Sequence, residues 1–488
     1  MKSIAMHIIS FQTSFLVICL IQIINARKNI LFLVADDMRP NLGVYNSANK
    51  PRFRSPSMST PNLDSLARKS MLFDNAYCQQ ALCAPSRTSF LTGRRPDTTR
   101  VTGWNYWRTS GGNFATIPQF FKENGYRTIG GGKIFHQNNA KVREDQKYSW
   151  TDKYHHAYRR KDPFTRVWKG FSNSEVSRLP LEDTLEANYI IQKLREVAKT
   201  KNKPFFIAYG TRKPHMPFNF PSKYLKLYPV KKVGMPYNYY PPKGMPWLAW
   251  NNPPVFHYAD CKKFAPNKKD RRKKRLPSWK VKQLRRAYYA TISFVDHELG
   301  RVLNEVKTLG LENDTIIAFL SDHGWQLGEH AEWAKQTNFE IANRVPLMIK
   351  VPGVTDKGLR TQKLTELVDV FPTLVEAAGF TPLKTCPTNS AGVKLCTEGT
   401  SLLPLFNNTE REDWKKSVFW QYPKSTTSKG APRKMGYTIR TERYRFTKWV
   451  YIKRLGGKNY EPNWWRSADL SELYDLSIDP QENVNRYL

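Results

Sequence analysis

The sequence predicts an α/β fold: a large, mostly parallel sheet covered on both faces by helices, followed by a smaller C-terminal α+β subdomain. Two observations predict it. Strand-like apolar runs alternate with amphipathic helical stretches through the N-terminal half, the pattern of a parallel sheet with crossover helices. After Cys396 the texture changes to polar–apolar alternation, the signature of antiparallel strands.

The elements follow in order. Residues 1–26 read as a signal peptide. Lys2 gives a short positive region, and Asn25-Ala26 offers a small residue before a cut. The apolar run Phe15–Ile24 is short for a bilayer span, which takes about 20 residues. Lys28–Asp37 is an apolar strand ending in two acids. Thr116–Gly125 is a short helix stopped by Gly125, and Tyr126–Lys133 is the strand after it. Ala187–Thr200 is an amphipathic helix leading into the strand Lys203–Gly210. From Leu284 to Val306 apolar residues recur at helical spacing, and Thr315–Gly324 is the next strand. Residues 234–256, rich in Pro, Tyr and Trp, read as a long packed loop, and Met435–Ile452 alternates like antiparallel strands. These signals place a catalytic domain at 27–411 and the C-terminal subdomain at 412–488.

Lys and Arg number 78 against 41 acids, a net charge of +37. Such an excess favours polyanionic partners: nucleic acid, anionic membrane or sulfated polysaccharide. The signal peptide and the sequons at Asn313 and Asn407 point to the secretory pathway, which removes nucleic acid from the choice. No later segment is apolar and long enough for stable membrane insertion. The densest basic run, Lys262–Arg286, contains a single acid, Asp270. It reads as a solvated loop, a polyanion patch or, at Arg271–Arg275, a processing site. Without Cys19 of the signal, the remaining cysteines are Cys78, Cys83, Cys261, Cys386 and Cys396, an odd number, so one at least stays unpaired. Cys386 and Cys396 bracket a short loop and are the expected disulfide. Cys78 and Cys261 either pair or stay free.

Two acid-ended strands carry the chemistry, because active groups of such sheets gather at the carboxyl ends of the strands. Asp36-Asp37 closes one strand and Asp322-His323 another. Carboxylates collected there repel unless a cation or strong donors meet them. Oxygen ligands point to a hard divalent ion, Ca²⁺ or Mg²⁺, rather than zinc. Cys83 lies just before a helix, PSRTSFLTG, in which Pro85 suits an early position. A helix N-terminus and the Arg87 guanidinium both offer donors to an oxyanion. In an oxidising compartment a thiol there is a liability unless it is paired or used.

The stretch CAPSRTSFLTGR, Cys83–Arg94, resembles the type I sulfatase signature. DDMRPNLGVYN, GGKIFH, KPHMPF and SDHGWQLGEHAEWAK extend the resemblance over nearly the whole mature chain. It implies an alkaline-phosphatase-like sulfatase fold and a sulfuric ester hydrolase. It also implies that a formylglycine-generating enzyme oxidises Cys83 to formylglycine, whose hydrated aldehyde is the nucleophile. One calcium ion is implied at Asp36, Asp37, Asp322 and His323, with residue 83 as a further ligand; His323 stands where the family often has Asn. Arg87, Lys133, His136, His215 and Lys335 match the groups around the sulfate, His215 as the acid at the leaving oxygen and His136 as the group that orients the hydrate. The implied substrate is the 2-O-sulfate of iduronate in heparan and dermatan sulfate, and the implied location is lysosomal or secreted. The alternatives are choline sulfate or another sugar sulfate, a phosphate or phosphonate ester, or non-catalytic binding of sulfated polysaccharide. An iduronate carboxylate needs a cationic partner, for which Arg94-Arg95 and Arg212-Lys213 are the candidates.

Overall fold

The computed structural model describes residues 27–46, 57–136, 143–158, 165–200, 203–251, 254–265, 275–426, 432–456 and 459–487. The expected signal peptide and the centre of the basic run, Arg271–Lys274 included, lie outside the described residues.

A seven-stranded sheet runs through the molecule in the spatial order Leu359–Glu366, Met71–Tyr77, Arg344–Lys350, Thr315–Ser321, Asn29–Asp36, Phe205–Pro214 and Arg127–Gly132. Arg344–Lys350 runs antiparallel to both of its neighbours, and the other pairings are parallel. The central strand Asn29–Asp36 is buried on both sides. Its period-two alternation sends Leu31, Leu33 and Ala35 into one core and Ile30, Phe32 and Val34 into the other. The first core is completed by Leu63, Ile190, Leu194 and Leu284 from the helices Pro61–Ala67, Glu182–Thr200 and Ser278–Thr308. The second is completed by Phe90, Phe121 and Phe371 from the helices Cys83–Thr92, Ile117–Glu123 and Val370–Ala377. Covering both faces this way is what long apolar strands require, and it brings their carboxyl ends to one side.

Local signals set the element ends. The Thr116 side chain caps its helix by accepting from the Gln119 N–H. The helix expected over Leu284–Val306 extends in both directions, to Ser278 and Thr308, with Pro277 at its N-cap. Residues 234–251 form irregular packed turns. Met245, Leu248 and Trp250 from them bury against Phe339, Trp449 and Tyr474.

The C-terminal part is a four-stranded antiparallel sheet, Ser417–Thr426, Pro432–Thr441, Tyr444–Gly456 and Asn459–Asp475 in sequential order. Among the described residues after Glu412 the regular structure is all strand. Trp420 stacks on Tyr77 of the large sheet with centroids 5.2 Å apart. A buried ionic chain does the rest. Arg440 Nε donates to Glu340 Oε2 at 3.0 Å, Tyr77 Oη donates to Glu340 Oε1 at 2.8 Å, and the Glu340 N–H donates to Glu482 Oε2 at 3.0 Å. Arg445 pairs with Glu482 in turn. Cys386 and Cys396 form the expected disulfide, with Cα atoms 5.0 Å apart. Cys78 and Cys261 are unpaired and buried in different cores.

Removing one partner of a buried ion pair leaves the other desolvated and unmatched. Glu340→Ala should therefore lower the unfolding free energy by about 3–5 kcal/mol in urea titration. Glu340→Leu combined with Arg440→Leu should lose much less. Equal losses for the single and double variants would show that this pair does not fasten the C-terminal sheet.

Candidate active site

The site forms where two neighbouring strands end. Asp36 is the last residue of its strand, and Asp37 follows in a left-handed conformation, φ 66°. A residue with a side chain adopts that backbone only when its surroundings hold it there. The Tyr288 hydroxyl does so, donating to the Asp37 carbonyl at 2.8 Å and accepting from the Arg39 N–H at 3.0 Å. Asp322 follows the next strand, and its Oδ1 accepts from the Asp37 N–H at 3.1 Å. All three carboxylates are fully buried.

Cys83 is the first residue of its helix, buried, with Sγ 3.4 Å from Asp36 Oδ1, 4.0 Å from Asp37 Oδ1 and 3.4 Å from His323 Nε2. Lys335 Nζ lies 2.9 Å from the same sulfur and also pairs with Asp37. One turn along the helix, Arg87 Nε donates to Asp322 Oδ2 at 2.9 Å, and its terminal nitrogen lies 3.5 Å from Asp36 Oδ1. Arg87 also donates to the carbonyls of Lys133 and Ile134. Lys133 pairs with Asp36. Its position depends on a close approach of backbones: a Cβ at Gly210 would run into the Lys133 carbonyl, and one at Gly132 into the Gly210 carbonyl.

His215 lies between two cis X–Pro bonds, Lys213-Pro214 and Met216-Pro217. Its Nδ1 is 2.5 Å from the Met216 carbonyl, so Nδ1 carries the proton and Nε2 faces Asp37 Oδ2 at 3.9 Å. His323 is held in the same way, Nδ1 at 3.0 Å from the Gly324 carbonyl, which leaves Nε2 toward the carboxylates. The structure thus gathers Asp36, Asp37, Cys83, Arg87, Lys133, His215, Asp322, His323 and Lys335 at one point. His136 stands at the margin, its ring packed on Trp104 with centroids 4.7 Å apart and its Nδ1 without a hydrogen-bond partner among the described residues.

The electrostatics of the cluster favour a cation. Ligand atoms of Asp36, Cys83, Asp322 and His323 lie within 4.8 Å of one another, as do those of Asp36, Asp37, Cys83 and His215. Against the cost of burial, Lys133 foremost holds the Asp36 carboxyl well below the usual range. Burial, with Asp36 adding to it, pushes the Asp37 carboxyl up to about 8 although Lys335 opposes the shift. Asp37 Oδ2 is buried without a hydrogen-bond donor. A buried, unsatisfied carboxylate oxygen among three acids and an imidazole Nε2 is a donor set that fits a divalent cation.

Four residues were not legible as parts of this site. Arg39 and Arg285 both donate to Glu329 Oε1 at 2.9 Å, and this buried trio anchors the loop that carries Lys335. Neighbouring Ala334 and Gln336 have φ of 76° and 77°, backbone strain on either side of the candidate residue Lys335. Tyr288 belongs to a helical apolar stripe, and nothing in that periodicity marks its hydroxyl. The expected carboxylate-binding cations are engaged elsewhere. Arg95 makes a two-pronged pair with Glu366 at 2.7 and 2.8 Å, Arg94 donates to the Val393 carbonyl, and Arg212 pairs with Glu182. Lys213 donates to the carbonyls of His215 and Pro217. Arg95 and Arg212 thus have their charges met by carboxylates, while Lys213 lies against the His215 backbone.

Burial, and after it Lys133, pushes the His136 imidazole down to about 2. In the unfolded chain it titrates near ~6.5. The unfolded state binds the proton first, so the neutral ring contributes stability above about pH 6.5 that is lost progressively below it, by up to about 1.4 kcal/mol per pH unit. His136→Gln should flatten the fall of unfolding free energy between about pH 6.5 and 4.5. The same slope in both proteins would remove His136 as a source of acid sensitivity.

Comparison with known proteins agrees with this geometry. The Sulfatase family profile matches residues 28–380, and the profile of the N-sulphoglucosamine sulphohydrolase C-terminal region matches residues 328–488. The iduronate 2-sulfatases of Mus musculus and Homo sapiens are 37% and 36% identical to the chain, covering 94% of it and 90% and 91% of their own lengths. A choline-sulfatase of Rhizobium meliloti is 26% identical over 94% of the chain and 82% of its own length. Among solved structures, a phosphonate monoester hydrolase of Agrobacterium radiobacter superposes with a TM-score of 0.67 at 21% identity, covering 94% of this chain and 91% of that one. A protein solved in complex with D-glucosamine-2-N,6-O-disulfate superposes with a TM-score of 0.64 at 22% identity over 94% and 93%. The fold is therefore that of the alkaline-phosphatase-like sulfatases. The chain belongs to the sulfatase family and is a sulfuric ester hydrolase, most similar in sequence among these proteins to the iduronate 2-sulfatases.

Proposed function

We propose that this sulfatase removes the 2-O-sulfate of a terminal iduronate in heparan sulfate and dermatan sulfate. The observation that carries the reading is the similarity to two iduronate 2-sulfatases, 36% and 37% identical over 94% of the chain. In this reading a formylglycine-generating enzyme modifies Cys83 during passage through the secretory pathway, and the product works in the lysosome or outside the cell. Residues 1–26 are its signal peptide, 27–411 the catalytic domain and 412–488 the C-terminal subdomain.

Asp36, Asp37, Asp322 and His323 would hold one calcium ion, which supplies a Lewis acid for the sulfate oxygens. Formylglycine at position 83 supplies, as its hydrate, an oxygen nucleophile that a thiol does not. The chain's own residues do the positioning. Arg87 keeps Asp36 and Asp322 apart at fixed angles through its planar donors. Lys335, already 2.9 Å from the atom at position 83, places an ammonium where charge gathers on the sulfonyl oxygens, and Lys133 does so from the other side of Asp36. His215 has Nδ1 committed to the Met216 carbonyl, so the proton it delivers to the leaving alcohol comes from Nε2. Burial, and then Lys335, holds that imidazole well below its usual range. Fewer molecules then carry the proton, but each is a stronger acid. His136 is the group that would orient the hydrate, from the margin of the cluster.

Mass spectrometry of the Cys83 peptide from secreted protein should show an aldehyde in place of the thiol, and Cys83→Ala should fold but lose turnover. An unmodified thiol in fully active enzyme would remove the formylglycine. Chelation should lower both activity and the thermal midpoint, because the buried carboxylates, Asp37 above all, then lose the cation that offsets their desolvation, and calcium should restore both. An unmoved midpoint would remove the metal site. For the substrate, matched 2-sulfated disaccharides are compared, one carrying the uronate carboxylate and one reduced to the alcohol. A preference of about tenfold or more for the carboxylate form is expected from one charge-assisted contact. Equal rates, or faster turnover of choline sulfate, would remove the iduronate assignment and leave the sulfatase standing.

A further inference from the structure

The chain has an acid-free stretch of which catalysis uses only His215. From residue 197 to residue 259 there is no Asp or Glu, although Lys and Arg recur throughout. The part that leaves the active site at His215 forms a ridge of two short 3-10 turns, Ser222–Leu227 and Val230–Lys232. Lys223 and Lys226 stand three apart on the first turn, a spacing that a 3-10 helix eclipses on one side. Lys231 and Lys232 follow on the second, and all four are exposed. Among the described residues none of the four pairs with a carboxylate, so their charge is presented to solvent unneutralised.

The ridge is built firmly. Arg286, on the long helix Ser278–Thr308, donates to the carbonyls of Tyr228 and Leu225 at 2.6 and 2.9 Å. The Tyr228 hydroxyl lies 2.6 Å from Ser293 Oγ on the same helix. Beyond the ridge the chain meets the Lys335-bearing loop, the Asn238 carbonyl accepting from the His330 N–H at 2.7 Å. Both ends of the ridge are thus tied to segments carrying catalytic candidates, His215 and Lys335. Its charge is opposite to that of a sulfated chain, and its backbone is pinned rather than free to collapse onto a nearby acid.

We propose that the Ser222–Lys232 ridge is an exosite for sulfated polysaccharide, gripping sugars of the chain beyond the one whose sulfate enters the Cys83 site. The inference rests on the substrate class proposed above and adds a second point of contact to it. Non-specific attraction of a polyanion to fixed cations works by releasing condensed counterions, so it declines steeply with salt.

The test is the variant carrying Lys223→Glu, Lys226→Glu, Lys231→Glu and Lys232→Glu, beside a control carrying Lys199→Glu, Lys307→Glu, Lys357→Glu and Lys384→Glu. Binding of immobilised heparin is measured against NaCl, together with turnover of a sulfated disaccharide and of a long heparan chain. For the ridge variant, the slope of log K against log salt should become shallower by roughly 3, four lost contacts at about 0.7–0.9 each by analogy with nucleic-acid polyanions. Its KM for the long chain should rise to that for the disaccharide, with disaccharide kcat and KM unchanged. The control should keep most of its heparin affinity. An unaltered slope, or an equal loss in the control, overturns the exosite. So does loss of binding to phosphatidylserine vesicles with heparin binding intact, which would make the ridge a membrane contact. Heparin binding needs no turnover, so if the disaccharide proves not to be a substrate, the iduronate reading fails while the slope still decides the exosite.

Discussion

The Arg87 guanidinium, buried one turn into the Cys83 helix, spans Asp322 at the end of one strand and Asp36 at the end of its neighbour, and the rest of the site is arranged around that bridge. Without it, two carboxylates at adjacent strand ends would repel in a medium that screens poorly. With it, they are held apart and aimed inward, while its remaining donors fix the backbone that delivers Lys133. One side chain therefore connects helix, two strands and a third strand's end. A lysine, a point charge on a flexible stem, does not present such a fork.

The balance of charge around that bridge explains why so many basic groups crowd a buried place. Lys133 and Lys335 lie directly on Asp36 and Asp37, and Arg87 lies between Asp36 and Asp322. Burying either sign alone costs several kcal/mol per ion, and pairing offsets much of that cost. What remains uneven is Asp37, with one oxygen lacking a donor and its carboxyl raised by burial. The unevenness marks the point at which the protein is built to meet something positive. The backbone is strained at the same places, at Asp37 and on both sides of Lys335. The supporting contacts of Tyr288 and the Arg39–Glu329–Arg285 trio are what sustain it.

Legibility in the sequence followed the range of the interaction concerned. Asp36-Asp37 and Asp322-His323 were readable because each pair ends an apolar strand, and strand ends of a parallel sheet converge. The Cys83 helix was readable from Pro85, and the structure ends it at Gly93, which takes φ 65° at the C-cap. Tyr288, Arg285 and Glu329 were not, because each acts across a distance that no local pattern encodes. Trp104 sits in a loop far from His136 in sequence, yet its half-exposed ring covers that imidazole. Arg95 and Arg212 show the reverse: adjacency to motif residues suggested a role, and Glu366 and Glu182 had already taken their charges.

By itself, then, the sequence determined the alternation of strand and helix, the one short-loop disulfide, the acidic strand ends and the placing of Cys83 beside a helix start, because these depend on periodicity and on neighbours a few residues apart. Tertiary structure decided which cations meet which carboxylates, which backbone segments bear strain, and which lysines stay unneutralised at the surface. Those outcomes depend on burial and on distances between residues remote in the chain. A charge in water and the same charge at a strand end inside the sheet are chemically different groups, and only folding determines which environment each one occupies.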